Sequence, residues 1–533
     1  MGTHTVVNQP PPRTDLDEFA ANLPLQEAVH RYDAGWAVPA LGESGRLVGS
    51  AAFQADAERA NTREPQLRGF DRWGNRLDEV EYDESYHRII RSAVAAGAHT
   101  SAWAEPRPGA NVARAATFLL FAQVEPGHAC PVSMSHAAVP ALAADDVLAA
   151  EWVPRLLSRD YDGRLAAGKT SALFGMAMTE KQGGSDVRAN TTRALAAGDG
   201  RWLITGHKWF CSAPMSDAFL VLAQTAGGLS CFVVPRVLGD GTRNVFLIQR
   251  LKDKLGNRSN ASSEVEFDGT IGFLLGEEGR GVRTILEMVN RTRLDCILGS
   301  AAGMRQAVAE AAWHVRHRSA FGARLVDQPA MTAVLADLAL ESEAATAVSL
   351  RLARAHDADA PDEDVAFRRL ATAVTKYWVC KRGPGHAYEA LECLGGNGYT
   401  EAFPLARRYR EQPVMAIWEG SGNVIALDVL RALAREPASR EAFDAELAAA
   451  RGTHPEYDAH HDRLRIALDT ADESSARSTV SALAVALQAS LLIRHAPPAV
   501  ADAFVAARLG PERGSLYGEL PRGVDTVAVA ARA

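Results

Sequence analysis

The stretch Met178-Thr179-Glu180-Lys181-Gln182-Gly183-Gly184-Ser185-Asp186 closes a short apolar run, residues 172–178. It opens the part of the chain whose pattern differs from everything around it. Glycines here let another molecule approach the backbone closely, and Thr179 and Ser185 offer hydroxyls to carbonyl or phosphate oxygens. The same composition also suits a plain surface turn. From Leu173 to about Leu275 short apolar runs recur at 201–205, 218–223, 230–235, 245–248 and 263–267. Gly198-Asp199-Gly200, Gly227-Gly228 and Gly239-Asp240-Gly241 separate them. Short runs at that spacing, bounded by turn residues, predict an all-β domain.

The flanks read differently. Pro10-Pro11-Pro12 ends an N-terminal arm that is extended, because proline fixes φ and removes a donor. From there to Gly168 the reading is helical, with the clearest helices over 85–96 and 111–123 and prolines at 106, 108, 126, 131, 140 and 154 as breaks. From Gly281 to Ala434 apolar residues recur at three- and four-residue steps, as in Ile285, Met288, Val289 and Thr292, or Val334, Leu335, Leu338 and Ser342. Breaks near Gly322, Pro361 and Gly395–Gly398 divide this part into the members of a helix bundle. A further alanine-rich tail is helical, with Leu464, Ile466, Leu468, Leu483, Val485, Leu487, Leu491 and Leu492 as its expected core. The class is α+β, mainly α. Its parts are a helical domain with an extended arm (1–172), a β domain (173–280), a helix bundle (281–438) and a C-terminal helical module (439–533). No Gly-x-Gly-x-x-Gly follows a strand and no phosphate loop is present, which argues against a dinucleotide fold of alternating β and α units.

Composition narrows the class. With 533 residues, 47% apolar and 23% charged, the chain is neither disordered, collagen-like nor a disulfide scaffold. A net charge of −8 gives no general push toward nucleic acid or anionic membrane. The six cysteines form no Cys-x-x-Cys pair, as expected of reduced core thiols in a cytoplasmic protein. No basic segment followed by an apolar run opens the chain, so no signal peptide is expected. Residues 480–493, broken by Ser481, Gln488 and Ser490, are expected to be too short to span a bilayer. His314 and His317 lack a carboxylate completing a ligand set, so no metal site is expected.

Four more segments carry candidate chemistry. In Gly206-His207-Lys208-Trp209-Phe210-Cys211-Ser212, an aromatic ring suits stacking on a planar cofactor and the hydroxyl suits a ring heteroatom; a strand with one buried aromatic is the alternative. In Ile417-Trp418-Glu419-Gly420-Ser421-Gly422-Asn423, a carboxylate beside an aromatic precedes a helix. That suits a desolvated proton acceptor with backbone donors nearby, or an ordinary acidic helix N-terminus. Leu394-Gly395-Gly396-Asn397-Gly398-Tyr399 is either a backbone surface open to another molecule or a helix end. Arg318-Ser319-Ala320-Phe321-Gly322, followed by Gln328, offers a guanidinium fork for a pyrophosphate or a solvated helix-end charge.

Together and in this order, the five segments resemble the acyl-CoA dehydrogenase superfamily of flavoproteins. The arm His4-Thr5-Val6-Val7-Asn8-Gln9-Pro10, residues 179–186 and Leu251-Lys252-Asp253-Lys254-Leu255-Gly256-Asn257-Arg258-Ser259-Asn260-Ala261 are similar to its alkylation-response branch. The resemblance implies FAD in a cleft between β domain and bundle, and a homotetramer built as a dimer of dimers. It implies that Met176, Met178, Thr179, Gly184 and Ser185 line the flavin, with Thr179 at the pyrimidine end and Ser185 at the pyrophosphate. Alignment on Lys208 puts Phe210 on the ring face and Ser212 at its N5 edge, with Cys211 between; alignment on Trp209 shifts this by one residue, so Trp209 remains a second candidate. Ile417, Trp418, Gly420, Ser421, Gly422, Asn423 and Leu427 are implied cofactor contacts. Arg318, Phe321, Gln328, Gly395 and Gly396 are implied contacts to a neighbouring chain's adenine-dinucleotide half. Glu419 takes the place of the family's catalytic base. Isovaleryl-type enzymes carry the base on an earlier helix, but Asn290-Arg291-Thr292-Arg293-Leu294-Asp295 has no glutamate there and Asp295 is the nearest acid.

Three functions follow from the resemblance. The first is an acyl-CoA dehydrogenase for a short or branched acyl thioester. The second is a stress-response flavoprotein, linked to DNA alkylation damage, that binds double-stranded DNA and has weak dehydrogenase activity; the branch favours this one. The third is an idle homologue, disfavoured by Glu419 and the intact flavin signatures. The electron acceptor and the acyl chain are not specified by the sequence. Residues 436–533 carry a net charge of −4, against the clustered cations that phosphate binding needs, although Arg463, Arg465 and Arg477 offer a local stripe.

Overall fold

The computed structural model describes residues 2–533, which form two compact units. One comprises the chain up to Ala51, Arg107–Val124 and Cys296–Ala533; the other comprises Ala52–Pro106 and Glu125–Asp295.

The second unit contains every strand of the main sheet. It starts with an unexpected hairpin, β1 (Gln66–Phe70) paired antiparallel with β2 (Arg76–Glu81), inside the region read as helical. The Asp71 carboxylate accepts from the backbone N–H groups of Trp73 and Asn75 (2.8 and 2.9 Å) and closes the turn. β1 is broken by Arg68 and Gly69 with no residue fully buried, and β2 is rich in charge, so neither has the apolar run that marks a strand in sequence. The helices expected over 85–96 and 111–123 lie at Glu84–Ala95 and Ala110–Val124.

The main sheet has seven strands: β3 (Phe174–Ala177), β4 (Arg193–Gly198), β5 (Arg201–Ser212), β6 (Ala218–Thr225), β7 (Gly228–Pro235), β8 (Leu247–Leu251) and β9 (Ser262–Leu275). The order is β3-β6-β4-β5-β9-β7, with β8 on β9. Because β6 also pairs with β7 along its whole length, the path from β6 round to β7 closes on itself. Closure buries β6 and β7 on both faces, which is why they read as continuous apolar runs. β5 alternates instead and keeps one face open. β4 was not expected: Ala194 is its one buried residue. Phe174, Leu220, Leu222, Cys231, Val233 and Leu275 pack with Met134 and Trp152 from helices Ala129–Leu142 and Asp146–Leu156. Burying side chains of this kind stabilises by roughly 1.5–3 kcal/mol each.

The other unit is helical. Its long members are Pro329–Arg354, Asp362–Glu392 and the C-terminal part of Gly281–His317. The breaks fall where glycine and proline placed them: a two-residue hairpin around Gly322, Pro361 as N-cap, and a tight turn at Gly395–Tyr399. The tail helices are not a loose appendage. Tyr457, Leu492, Val500, Phe504 and Val529 share one core with Val308, Leu338 and Ala390 of the bundle. Arg508 pairs with Asp337 and Glu341, and Arg532 pairs with Glu343. Arg351 bridges Asp364 and Glu446 at 2.6 and 2.9 Å.

Two readings of the tail need correction. Ile466, expected in the core, is 71% exposed, because it sits about 200° round the helix from buried Leu464. Helix Ala476–His495 is by length and composition long and apolar enough to cross a membrane, contrary to the short, broken reading; 72% of its most apolar window is buried inside the chain.

The six cysteines are unbridged and five are buried. Since Phe504 belongs to the shared core, Phe504→Ala should cost about 3–5 kcal/mol. Differential scanning calorimetry should show the bundle and tail melting together at lower temperature, with no early transition of the tail alone.

Candidate functional site

The candidate residues fall into three groups, one in the sheet unit and two in the helical unit. In the sheet unit the chain leaves β3 through half-buried Met176 and Met178 and turns sharply at 180–183. Gly183 has a φ of +150° and Gly184 passes so close to Thr179 that an added Cβ would lie 2.4 Å from its hydroxyl oxygen. Only glycine lets this loop fold back over Thr179. Gly184 and Ser185 are exposed.

The turn is pinned from below. Glu180 points inward and forms a fully buried ion pair with Lys208 of β5 at 2.9 Å. Its carboxylate also accepts from the Thr191 N–H (2.7 Å) and hydroxyl (3.0 Å), the Thr192 N–H (3.1 Å) and the Gln182 amide (2.8 Å). Lys208 Nζ additionally donates to the Leu222 carbonyl of β6 at 2.8 Å. Burial by itself would raise the Glu180 carboxyl, but the Lys208 ammonium and these donors outweigh it and hold the group well below the usual carboxylate range. The Trp209 N–H donates to the Thr179 carbonyl at 2.8 Å and ties the turn to β5.

At the end of β5, Trp209 and Phe210 both meet cations, Trp209 more closely. Lys252 Nζ stands 3.3 Å from the Trp209 ring centroid, with Lys181 and Arg250 each at 5.7 Å, and the same ammonium of Lys252 lies 4.8 Å from the Phe210 ring centroid although Phe210 is 51% exposed. Cys211 is fully buried and its thiol is pushed up to about 12 by that burial, so its side chain belongs to the core and only its backbone is open to a ligand role. Ser212 Oγ lies 3.1 Å from Ser262 Oγ.

In the helical unit, Glu419 sits in a turn just before helix Gly422–Arg435 with a φ of +58°, a left-handed conformation that non-glycine residues adopt at a cost. Trp418 packs against Cys296, Cys380 and Met415. Buried Lys376, on helix Asp362–Glu392, donates to the Trp418 carbonyl (2.8 Å) and the Gly420 carbonyl (2.5 Å), so it clamps the turn on both sides of Glu419. Gly422 lies against Lys381, and Asn423 Oδ1 accepts from Arg477 at 2.7 Å. Ser421 and Leu427 are exposed, and Ile417 is 65% exposed. Asp295, the alternative acid, ends the other unit and is 3% exposed.

The third group is also in this unit. Arg318 donates to the Asn8 carbonyl at 2.5 Å, and Asn8 exchanges two further bonds of 2.8 Å with the backbone of Ser319, so the N-terminal arm grips the hairpin. Gln328 reaches the Ala320 carbonyl at 3.0 Å. Phe321 at the tip is 99% exposed, and a side chain at Gly395 or Gly396 would meet nothing.

Sequence reasoning missed the roles of Lys208, Glu180 and Lys376. The signal for Lys376 was present: it stands at core spacing from Ala373 and Cys380, where a lone lysine must find buried acceptors. Among the described residues no group of three His, Cys, Asp or Glu is placed to hold a metal ion.

The donor sets fit FAD. The sheet unit offers an exposed aromatic ring at Phe210, shared with the Lys252 ammonium, hydroxyls at Thr179, Ser185 and Ser212, and a glycine cradle for phosphate. The helical unit offers open backbone at Gly395–Gly396 and a helix N-terminus at Gly422.

Comparison with known proteins agrees. Residues 8–163 match the adaptive response protein AidB N-terminal domain, 175–270 the acyl-CoA dehydrogenase middle domain and 279–434 the acyl-CoA dehydrogenase C-terminal domain. The chain is 45% identical over 523 residues to AidB of Escherichia coli K12, covering 97% of this chain and 96% of that one. It is 30% identical over 394 residues to acyl-CoA dehydrogenase family member 11 of Caenorhabditis elegans (70% and 63% covered). The crystal structure of Caenorhabditis elegans ACDH-11 in complex with C11-CoA superimposes with a TM-score of 0.85 at 25% identity, over 100% of this chain and 93% of that one. The chain therefore belongs to the acyl-CoA dehydrogenase family of FAD-dependent oxidoreductases acting on CH–CH bonds, as an AidB-like member.

Lys208→Met should cost about 3–5 kcal/mol by leaving the Glu180 charge buried without its partner. Because the folded-state pKa of Glu180 is lowered from 4.5, its contribution to stability is complete above that value and is lost as pH falls below it toward the folded pKa. In acid unfolding followed by circular dichroism, Glu180→Gln should therefore show a shallower loss of stability below pH 4.5 than the parent protein.

Proposed function

We propose that this chain is an AidB-branch flavoprotein whose FAD site oxidises a short or branched acyl-CoA thioester, with Glu419 as the base. The observation that carries the reading is the clamped turn: a carboxylate held in a strained conformation by Lys376, beside an aromatic and ahead of a helix N-terminus. Strain of this kind persists where surrounding structure over-determines it, and it clusters at functional sites. Hydrogen bonds to the thioester carbonyl oxygen make the α-proton more acidic, and Glu419 takes that proton. FAD supplies the acceptor for the hydrogen and electron pair leaving the β-carbon. Thr179, Ser185, Ser212 and Phe210 orient the cofactor, and the C11-CoA complex of the Caenorhabditis elegans relative supports a CoA thioester as ligand class.

A homotetramer arranged as a dimer of dimers accompanies this reading. The fully exposed Phe321, with Arg318, Gln328, Gly395 and Gly396, would meet a neighbouring chain's cofactor. The compartment that suits the reduced cysteines is the cytoplasm. The electron acceptor is left open.

A second reading is a role in the response to DNA alkylation through duplex DNA. It is supported by the match to the adaptive response protein AidB domain and by an identity to AidB that covers 97% of the chain. Arg463, Arg465 and Arg513 are exposed, and Arg463 and Arg513 both border His460. Arg477 is engaged by Asn423, while Arg494, Arg508 and Arg532 are committed to internal ion pairs. The basic surface left for phosphate is small.

Anaerobic addition of an acyl-CoA panel should bleach the bound flavin. Glu419→Gln should keep FAD but slow bleaching by about 10²–10⁴-fold; equal bleaching in the variant would remove Glu419 as base. For DNA, the tail cannot simply be deleted, because it shares the bundle core. Replacing Arg463, Arg465 and Arg513 by alanine in the full chain should weaken duplex binding and lower the slope of log affinity against log salt by about 1 per lost phosphate contact.

A further inference from the structure

Segment 251–261 marks the branch in sequence, yet its chemistry was not apparent there. In the structure its second half is a buried polar connector: Asn257, Ser259 and Asn260 are each at most 3% exposed, and Ser259 Oγ donates to Glu125 Oε1 at 2.5 Å. Lys254 lies earlier in the segment. Lys254 Nζ donates to the Asn260 carbonyl and, at 3.2 Å, to Ser262 Oγ. Ser262 Oγ in turn lies 3.1 Å from Ser212 Oγ, across the β5–β9 pairing.

The direction of this chain is fixed by what each group has to offer. An ammonium has only protons to give, so Ser262 Oγ is an acceptor toward Lys254. Ser262 is 6% exposed, and among the described residues its side-chain contacts are Lys254 and Ser212. Its own proton therefore goes to Ser212; the opposite arrangement would leave a buried hydroxyl proton without an acceptor, which costs about 1–3 kcal/mol. Ser212 Oγ accepts from Ser262 and keeps its own proton for an acceptor outside the strand pair.

We propose that Lys254 and Ser262 are positioning residues that make Ser212 an obligate hydrogen-bond donor to the cofactor. This rests on the reading above that Ser212 meets the flavin edge, and it goes beyond that reading by assigning the branch-specific segment a function: it sets which way the Ser212 hydroxyl points. A donor fixed in place before the cofactor arrives loses no orientational freedom when the electron-accepting edge gains charge.

The test uses the full-length FAD-loaded protein with Ser212→Ala, Ser262→Ala and Ser262→Thr. Four quantities are measured: thermal stability, FAD content, the flavin midpoint potential, and the rate and concentration dependence of flavin bleaching by an acyl-CoA. Ser262→Ala is expected to move the midpoint potential in the same negative direction as Ser212→Ala. It should also slow bleaching roughly two- to tenfold, with half-saturation unchanged, as expected for one hydrogen bond. Ser262→Thr, which keeps the hydroxyl, should restore both. A shift in Ser212→Ala with none in Ser262→Ala would overturn the relay and leave the flavin assignment of Ser212 standing. No shift in either variant would overturn both. If Ser262→Ala lowers only stability or FAD content, or if threonine restores nothing, Ser262 is a packing residue and the proposal fails.

Discussion

The Glu180–Lys208 ion pair is the constraint from which the sheet unit's candidate surface follows. Two opposite charges with no exposure to water hold together only if desolvation is offset by close geometry and by further hydrogen bonds. Both conditions are met. The carboxylate is satisfied by Gln182, Thr191 and Thr192 as well as Lys208, and the ammonium by the Leu222 carbonyl. The pair thereby joins the 180–183 turn to β5, to β6 and to the segment entering β4. Thr179, Gly184 and Ser185 are displayed by a loop whose underside is fixed.

The helical unit uses a related device with different chemistry. Lys376 donates to main-chain carbonyls on either side of Glu419. A left-handed non-glycine residue costs of order 1–3 kcal/mol, and charge-assisted bonds from a buried ammonium are of the size needed to offset it. In both units a buried lysine organises the backbone that carries the functional group. Neither lysine needs to touch a ligand for its loss to be felt in chemistry.

The tail shows how charge can mislead when read without structure. Its arginines look like a reservoir of basic surface, yet Arg494, Arg508 and Arg532 neutralise Glu446, Asp337, Glu341 and Glu343 inside the helical unit. These pairs, together with Tyr457, Leu492 and Phe504 in the common core, make the tail part of the bundle's own stability. Any interaction with phosphate depends on the few arginines that remain outside that network.

Local pattern by itself determined a good deal. β6 and β7 announced themselves because both faces are buried, and the bundle's breaks followed Gly322, Pro361 and Gly395 because those residues alter backbone geometry whatever surrounds them. The ordered segments from Met178 to Asn423 carried the family. Tertiary structure alone decided the rest. β1 and β2 are interrupted by polar residues and β4 is alanine-rich and almost wholly exposed, so their strand character comes from partners rather than from their own residues. That Trp209 is the more closely covered of the two rings depends on Lys181, Arg250 and Lys252 arriving from other segments. The clamps at Glu180 and Glu419 join residues far apart in the chain, and a one-dimensional pattern holds no record of contacts made only when the fold closes.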